Sequence, residues 1–439
     1  MSAPEPADVL IVGSGIMGSA VARLVREAQP SAHIVMVDGG SAIGATPGLH
    51  LHDVAEPELW DRYNERVASG IQGFYTGTEP VPSAARDAGG LEPGMHLLST
   101  LGETASAMPA SAAAWNIGGM GAHWTAAVPW PAGAETFPFD SVEEWRRDLA
   151  TAQRVLNSRS PSIGPTEPGR VVLRELAARY AGTGPADRGP QPMPMAVVPG
   201  ARGMLERVGP SRIFPPIGRG GDDRFELLPG TLAVALDHDG RRVRGALVRD
   251  VGSGAERVIE AATTVVCADT FRTPQLLFAS GIRPEALGRH LNEHAFITGR
   301  VLLDLDRFGL RREDLPLVKP GEFCTDSLWL PQNGPAQPFH GQIMDTTYID
   351  DDGVPLAHSV GISLYTPVES RPENRLRFID GETDLTGLPR FEIDFAYSAA
   401  DRALIERAGH EMAAASRLFG EFDPATESAL LPPGSSLHQ

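Results

Sequence analysis

One short stretch near the amino terminus limits the folds open to this chain more than any other. An apolar run over residues 8–12 is followed at once by Gly13, Gly15 and Gly18, and then by a helix-like run over residues 19–26. In this spacing the first glycine makes a tight turn, the second lets a pyrophosphate approach the backbone, and the third lets helix and strand pack closely. The pattern predicts a parallel α/β sheet with an anion held at the start of its first helix.

A second apolar run, over residues 33–37, ends at Asp38, whose carboxylate is suited to accept hydrogen bonds from a ribose diol. An ordinary glycine-rich turn is the alternative interpretation, because the three glycines taken alone are a weak signal. The strand before them, the helix after them and the acid at the second strand tip agree with each other. We therefore predict a dinucleotide site at Gly13, Gly15, Gly18 and Asp38.

Composition argues against several classes of function. The 439 residues carry a net charge of -18, so no basic patch is available for nucleic acid. Cys267 and Cys324 imply no disulfide framework and are too far apart in sequence to suggest zinc, and we find no residues with metal-ligand spacing. No run reaches the roughly 18 apolar residues of a membrane span. The first residues lack the features of a signal peptide, so we expect a cytoplasmic protein without a membrane partner.

The remaining pattern predicts two kinds of sheet. Short strands in an antiparallel meander are predicted at residues 225–228, 232–236, 243–248 and 257–260, and a buried strand returning to the parallel sheet at 263–268. A mostly antiparallel region is predicted from strands at residues 298–303, 342–348, 359–365, 374–378 and 390–395. Helices are predicted from a cap at Ser141 to about Leu156, at 171–180 and at 398–418.

A second glycine-rich stretch spans residues 116–125 and ends in His123, Trp124 and Thr125. Three glycines in four positions let the backbone come close to something flat or bulky. Taken alone, the stretch is more simply a turn with a core histidine. Beside the dinucleotide site it is predicted to form a second wall of a cofactor site.

Six motifs together resemble the glucose-methanol-choline (GMC) family of flavin oxidoreductases, and within it the pyranose oxidase and glycoside 3-oxidase branch. They are the fingerprint with Asp38 and residues 118–125, 265–281, 287–294, 371–376 and 433–438. They occur in the family's order over almost the whole chain. The Gly-Met-x-x-His-Trp-Thr sequence that begins at Gly119 is the most branch-specific of them.

The resemblance implies a fold of the α/β class, with a Rossmann-like FAD-binding domain and a second α+β substrate domain built on an antiparallel sheet. The FAD-binding domain would comprise residues 1–50, 90–135 and 220–295 together with a part after 430. The substrate domain would comprise residues 140–220 and 296–425.

The resemblance also implies where the cofactor lies. FAD would bind in an extended form, with its ADP half on the dinucleotide site and its isoalloxazine ring along Gly119, Met120, His123, Trp124 and Thr125. His123 is the candidate for a covalent bond to the 8-methyl carbon of the flavin, although related oxidases hold the flavin without one. Thr125 would lie near the reactive edge of the ring.

By the same resemblance, His438 takes the hydroxyl proton while a hydride passes to the flavin. The substrate would be a sugar or glycoside oxidised at carbon 2 or 3, with O2 or a quinone as acceptor. The alternative for His438 is a tail histidine in solvent. Polar contacts to the sugar are predicted for Asp345, Thr346 and Tyr348, while His340 and His358 are predicted to be surface residues.

Two alternatives to this function stay open. Family members continue past the Ser-x-His motif with a Gly-Thr-Arg-Met-Gly stretch, a second catalytic His or Asn and a closing helix, whereas the sequence given ends at Gln439. If the polypeptide ends there, we expect a non-catalytic flavin-binding protein. The other alternative is a non-sugar alcohol, such as a sterol or an aliphatic polyol, oxidised by the same chemistry. Assembly into a homo-oligomer is left open.

Overall fold

The computed structural model describes residues 5–56, 58–59, 86–87, 90–200, 204–319, 322, 324–423 and 428–436. Its helices are α1 Ile16–Ala28, α2 Val142–Val155, α3 Glu167–Arg179, α4 Pro210–Ile213, α5 Pro216–Arg219, α6 Asp269–Ala279, α7 Leu305–Phe308 and α8 Ala399–Phe419. The predicted helix cap at Ser141 is present, since its side chain accepts the backbone N–H of Glu144, and Ser398 caps α8 in the same way through Asp401.

The strands, in chain order, are β1 Ala7–Val12, β2 Ile34–Val37, β3 Arg86–Asp87, β4 Gly90–Leu91, β5 Gly94–Leu97, β6 Ala112–Trp115, β7 Ser158–Arg159, β8 Gln191–Pro192, β9 Met195–Pro199, β10 Leu205–Arg207, β11 Phe225–Leu228, β12 Thr231–His238, β13 Val243–Asp250, β14 Glu256–Val266, β15 His294–Leu303, β16 Asp326–Leu330, β17 His340–Ile349, β18 Pro355–Pro367, β19 Arg375–Thr383, β20 Pro389–Asp394, β21 Gly420–Phe422 and β22 Ala429–Leu430.

The first main sheet has the strand order β11-β2-β1-β14-β13-β12. Its first four strands are parallel, and β13 and β12 continue it as antiparallel strands. Helices cover both faces, because Ile11 packs in one cluster with Ala22 of α1 while Leu10 packs in another with Leu276 of α6. Burial on both faces explains why β1 and β2 are almost continuously apolar.

The second main sheet has the strand order β21-β15-β18-β17-β16-β8, with β22 also paired to β15, and it is antiparallel. One face packs against α3 and α8 through a cluster that includes Val172, Met412 and Ile362. The opposite face carries Trp329 and Met344, which pack with residues of the 116–125 stretch. This sheet therefore stands between two helices and the predicted second cofactor wall.

The predicted fold class is confirmed, and the meander differs from its prediction in two respects. Residues 225–228 leave the meander and pair parallel with β2, since Phe225 and Leu227 pack into the cluster of Ile34. The two strands predicted at 257–260 and 263–268 form the single strand β14. The predicted domain boundaries stay a prediction. Among the described helices, none is both long and apolar enough to cross a bilayer.

Candidate functional site

A cavity of about 640 Å³ lies at the carboxyl ends of β1, β2 and β14. This is the edge of a parallel sheet at which α/β folds bind their ligands. Five of the residues predicted for the cofactor line it directly: Gly13, Gly15, Asp38, Gly119 and Met120. The structure thus brings the fingerprint and the start of the second glycine-rich stretch to one cavity, although about a hundred residues separate them.

The three fingerprint glycines differ in the space around them. Gly13 has φ +100°, and a Cβ there would overlap the carbonyl oxygen of Cys267. A Cβ at Gly18 would overlap the carbonyl oxygen of Gly13. At Gly15, however, φ is −64° and a Cβ would meet only the Gly118 carbonyl oxygen at 3.8 Å. The chain itself leaves room for a side chain at this position, so the space beside Gly15 is open to a group held in the cavity.

Asp38 is held firmly at the tip of β2. Its Oδ2 accepts hydrogen bonds from the backbone N–H of Ser14 at 3.0 Å and from the Ser14 hydroxyl at 2.6 Å, and its Oδ1 accepts from Gly40 at 2.9 Å. Burial raises the pKa of this carboxyl. The Ser14 hydroxyl also accepts the Gly118 N–H at 2.8 Å. Ser14 therefore ties the acid to both glycine-rich stretches, a role that its place between two fingerprint glycines did not reveal.

Replacing Ser14 by alanine is expected to weaken FAD binding about tenfold. The change removes one of the hydrogen bonds that orient Asp38 and leaves the buried Gly118 N–H without its acceptor, and a tenfold loss of affinity corresponds to about 1.4 kcal/mol of this weakening falling on the bound state. Fluorescence titration of deflavinated protein with FAD measures the dissociation constant. Ser253→Ala, in an exposed turn that does not line the cavity, is the matched control. Equal affinity in the two variants would remove Ser14 from the site.

The stretch 116–125 reaches the cavity through Gly119, Met120 and Gly121, which lie in a tight turn. Gly118 and Gly119 have φ of 100° and 50°, and residues 119–122 make one turn of 3-10 helix. His123 then places its Nε2 at 2.8 Å from Oδ1 of Asn116, and because that oxygen only accepts, Nε2 is the donor. Burial lowers the pKa of His123 to about 3, with a smaller contribution from His96, so the ring is neutral at neutral pH. Asn116, which the sequence did not single out, therefore fixes the orientation of His123.

His123, Trp124 and Thr125 follow this turn but do not line the cavity, and Trp124 packs against the cluster of Trp329 in the second main sheet. The indole N–H of Trp124 is buried and has no acceptor among the described residues. A buried donor without a partner is rare in proteins and favours a ligand that supplies the acceptor. Thr125 is exposed. The Trp124 carbonyl oxygen accepts from His50 Nε2 at 2.8 Å, which holds the backbone at this point.

The three residues predicted to contact a substrate are divided between the two faces of β17. Met344 faces the cluster of Trp124, and side chains alternate along a strand, so Thr346 lies on the same side as Met344. Tyr348 also follows this alternation, and its hydroxyl donates to Asp423 at 3.0 Å. Asp345 is fully buried on the opposite face, under α3, where burial raises its pKa to about 6. The structure does not bring Asp345 to the cofactor wall.

The histidines of this region also differ from their prediction. His358, predicted at the surface, is completely buried. In the sequence, His358 lies in a strand beside polar residues, and this pattern does not reveal that α3 covers the face of the sheet to which His358 belongs. His340 is half-buried, and its Nδ1 accepts the indole N–H of Trp329 at 2.9 Å.

His438 lies outside the described residues, but the segment that leads to it is described as far as residue 436. The N–H of Gly434 donates to both carboxylate oxygens of Glu293, at 3.0 and 2.8 Å. Ala110 donates its N–H to the carbonyl oxygen of Pro433 at 3.3 Å. Residue 110 stands two residues before β6, whose Ala114 and Trp115 line the cavity. Glu293 therefore anchors the chain close to the cofactor cavity just before His438.

A buried charged cluster supports the far side of the cavity. Arg272, which lines it, donates to Glu103 at 3.2 Å, to Asp384 at 2.6 Å and to Gln275 at 2.7 Å. Burial raises the pKa of Glu103 from its usual 4.5 to about 7, against the opposing effects of the Phe391 N–H and of Arg272. The pKa of Asp384 is lowered despite its burial, because Arg272 and the Thr386 hydroxyl favour its charged form.

This cluster predicts a pH dependence of stability. Between pH 4.5 and about 7 the folded chain keeps a proton on Glu103 that the unfolded chain releases, so the free energy of unfolding falls as pH rises through this window. We expect the free energy of unfolding of Glu103→Gln to lack this decrease. Urea unfolding of both proteins at pH 5 and pH 8 measures the free energy of unfolding, and we expect the variant to gain stability relative to the original protein between the two pH values. A constant difference would contradict the assignment.

Comparison with known proteins was consistent with this arrangement. Residues 225–296 match the family model described as GMC oxidoreductase. The chain is similar to two proteins named C-glycoside 3-oxidase: it is 32% identical to that of Microbacterium trichothecenolyticum, over 99% of this chain and 85% of the relative, and 34% identical to that of Arthrobacter globiformis, over 99% and 84%. Pyridoxine 4-oxidase from Mesorbium loti has a similar fold, with a TM-score of 0.56 and 16% identity over 94% of this chain and 80% of that one.

Proposed function

From the premise that this chain belongs to the GMC oxidoreductase family, we propose that it oxidises a secondary ring hydroxyl of a sugar or glycoside to the ketone. One observation carries this proposal: a cavity lined by both glycine-rich stretches lies in a chain that is similar, over 99% of its length, to two C-glycoside 3-oxidases. Of the two carbons that the sequence left open, those relatives favour carbon 3.

The GMC family depends on FAD, and the residues present fit the ADP half of this cofactor. The N–H groups at the start of α1 point to the cavity beside Gly15, where a pyrophosphate has room because no side chain intervenes. Asp38, oriented by Ser14 and Gly40, accepts the ribose hydroxyls. When bound, FAD supplies a hydride acceptor at N5 of its ring.

We assign the proton transfer to His438. The hydroxyl proton must leave the substrate as negative charge develops on the oxygen, and a histidine has its ordinary pKa near neutral pH. The hydrogen bonds from the Gly434 N–H to the Glu293 carboxylate support this assignment, because they fix the backbone four residues before His438. Glu293 acts as a positioning residue in this scheme.

His123 is proposed to hold the flavin ring, by a covalent bond to its 8-methyl carbon or by contact alone. A neutral imidazole is the form that bonds to carbon, and burial keeps His123 neutral. Acid precipitation separates the two modes: colour that stays in the pellet and is lost in His123→Ala indicates the bond, while colour released to the supernatant indicates contact alone.

The substrate is proposed to lie beside His123 and Trp124, at the face of the second main sheet that carries Met344 and Thr346. Molecular oxygen is the proposed electron acceptor, with a quinone as the second candidate. A cytoplasmic location and assembly into a homo-oligomer remain predictions from sequence.

The proposal is tested by incubating the purified holoprotein in air with O-glycosides, C-glycosides and free sugars, beside a sterol and an aliphatic polyol. We expect hydrogen peroxide to form with glycosides and NMR of the product to show a ketone at carbon 3. A ketone at carbon 2 would change the position assigned. Turnover of the sterol or polyol alone would favour the non-sugar alternative, and no turnover of any alcohol would favour a non-catalytic flavin-binding protein.

A further inference from the structure

A cluster of three buried side chains lies between the second main sheet and α3 and has no part in the proposed function. Asp326, Asp345 and His358 come from β16, β17 and β18, and each is completely buried. Asp326 lies directly opposite Asp345, and His358 lies opposite Thr347, two residues along from Asp345. The three side chains therefore project from one face of the sheet. One oxygen or nitrogen atom of each lies within 4.8 Å of those of the other two.

The polar atoms at the centre of the cluster have no hydrogen-bond partner among the described residues. Both carboxylate oxygens of Asp345 and Nε2 of His358 make no hydrogen bond. The gap between His358 Nε2 and Asp345 Oδ2 is 3.7 Å, which is too long for one. A buried carboxylate without donors is strongly unfavourable, so these atoms need something that lies between them.

Neighbouring groups fix the orientation of two of the three side chains. Nδ1 of His358 lies 3.1 Å from the Thr347 hydroxyl, which fixes the ring with Nε2 toward the carboxylates. Asp326 accepts the N–H of Thr166 at 2.6 Å and also its hydroxyl, at the cap of α3. Partners of this kind orient the ligands of metal ions in proteins.

Two glycines leave room for the Asp326 carboxylate. A Cβ at Gly164 or at Gly169 would overlap it. Gly164 also has φ +70°, a conformation that other residues rarely adopt. The chain thus admits a carboxylate between the start of α3 and the sheet, although an apolar side chain would suit the surrounding core better.

We propose that Asp326, Asp345 and His358 bind a divalent transition-metal ion. With metal–ligand bonds of about 2.1 Å, ligand atoms around one ion lie roughly 3–4 Å apart, which matches the 3.7 Å gap. Two carboxylates balance the charge of a dication. One imidazole nitrogen beside carboxylate oxygens favours zinc, manganese or iron over calcium and magnesium, which prefer oxygen ligands alone.

Such an ion would stabilise the second main sheet from the side that α3 covers. It would join three adjacent strands to the start of α3, while Met344, next to Asp345 in sequence, lies on the other face, in the cluster of Trp124. The site is independent of the flavin, so its failure leaves the proposed oxidation untouched. Sequence spacing did not reveal it, because strand register alone brings together positions 19 and 13 residues apart.

The test starts from tag-free holoprotein, dialysed against metal-free buffer and analysed by plasma mass spectrometry. We expect a near-equimolar amount of one transition metal. After removal of the metal with a chelator, titration with Co²⁺ is expected to give visible ligand-field bands that saturate at one ion per chain and to restore thermal stability. The flavin spectrum of untreated protein is subtracted.

Two variants locate the ion. Asp345→Asn and His358→Gln are expected to lose the Co²⁺ bands, while His410→Gln, an exposed histidine on α8, keeps them. Far-UV circular dichroism checks that each variant is folded, and if the first two fail this check the titration of the original protein decides. Absence of both bound metal and Co²⁺ bands in the original protein overturns the proposal, as does a metal content that survives in folded His358→Gln.

Discussion

Replacing Gly15 by valine is expected to give a folded chain that no longer retains FAD. In the structure a Cβ at Gly15 meets only one carbonyl oxygen, at ordinary contact distance, and φ of −64° suits any residue. The valine methyl groups would instead occupy space that the pyrophosphate needs beside the start of α1. We expect the purified variant to be colourless, with FAD content below about a tenth of the original, since a blocked phosphate site costs well over 1.4 kcal/mol.

The matched control is Gly189→Val. Gly189 has similar extended backbone angles, and a Cβ there meets only the Ala186 carbonyl oxygen at 3.9 Å. It does not line the cavity. This control should stay yellow, and circular dichroism should be unchanged in both variants. A yellow Gly15→Val protein with normal FAD content would show that the cofactor does not approach this turn.

Replacing His438 by alanine is expected to lower the rate of glycoside oxidation by about 10²–10⁴-fold while FAD content stays normal. The reason is that no other proposed group takes the hydroxyl proton, whereas the cofactor cavity is built from residues far from the carboxyl end. Rapid-reaction spectroscopy of flavin reduction by a glycoside measures this step directly. His410→Ala removes an exposed histidine and serves as the control.

A second feature distinguishes proton transfer from a structural role of His438. If the residue acts as a base, the remaining rate of the alanine variant should rise with pH and lose the titration seen near neutral pH in the original. A variant with unchanged flavin reduction, or with reduced rate but an unchanged pH profile, would remove His438 from the mechanism.

Local patterns predicted the architecture well where one element decides its own structure. Strand β1, its glycine turn and α1 were predicted because apolar runs, turn glycines and caps lie within a few residues of each other. Strands β15, β17 and β18 of the second main sheet were predicted for the same reason. Strand β16 was missed, and β19 and β20, also predicted, pair in a sheet of their own. Phe225–Leu228 was placed in the wrong pairing, because a short apolar strand carries no mark of its partner and only its packing beside Ile34 decides.

The site was predictable to the extent that its residues belong to motifs. Gly13, Gly15 and Asp38 meet in the cavity as expected, and their place in the fingerprint is what identified them. Ser14 and Asn116 were missed, because each acts through a hydrogen bond to a residue of another segment or turn. Strand alternation decides which face Asp345 occupies, but the sequence does not say which face α3 covers.

The proposed oxidation requires an FAD-containing chain that takes a hydride from a sugar ring. Its most direct test is the visible spectrum of the purified, full-length protein during anaerobic mixing with a C-glycoside and an O-glycoside. We predict an oxidised flavin spectrum before mixing and its bleaching within the turnover time after mixing, with return of the colour when air is admitted. A colourless protein that takes up no FAD, or a flavin that no glycoside bleaches, would contradict the account.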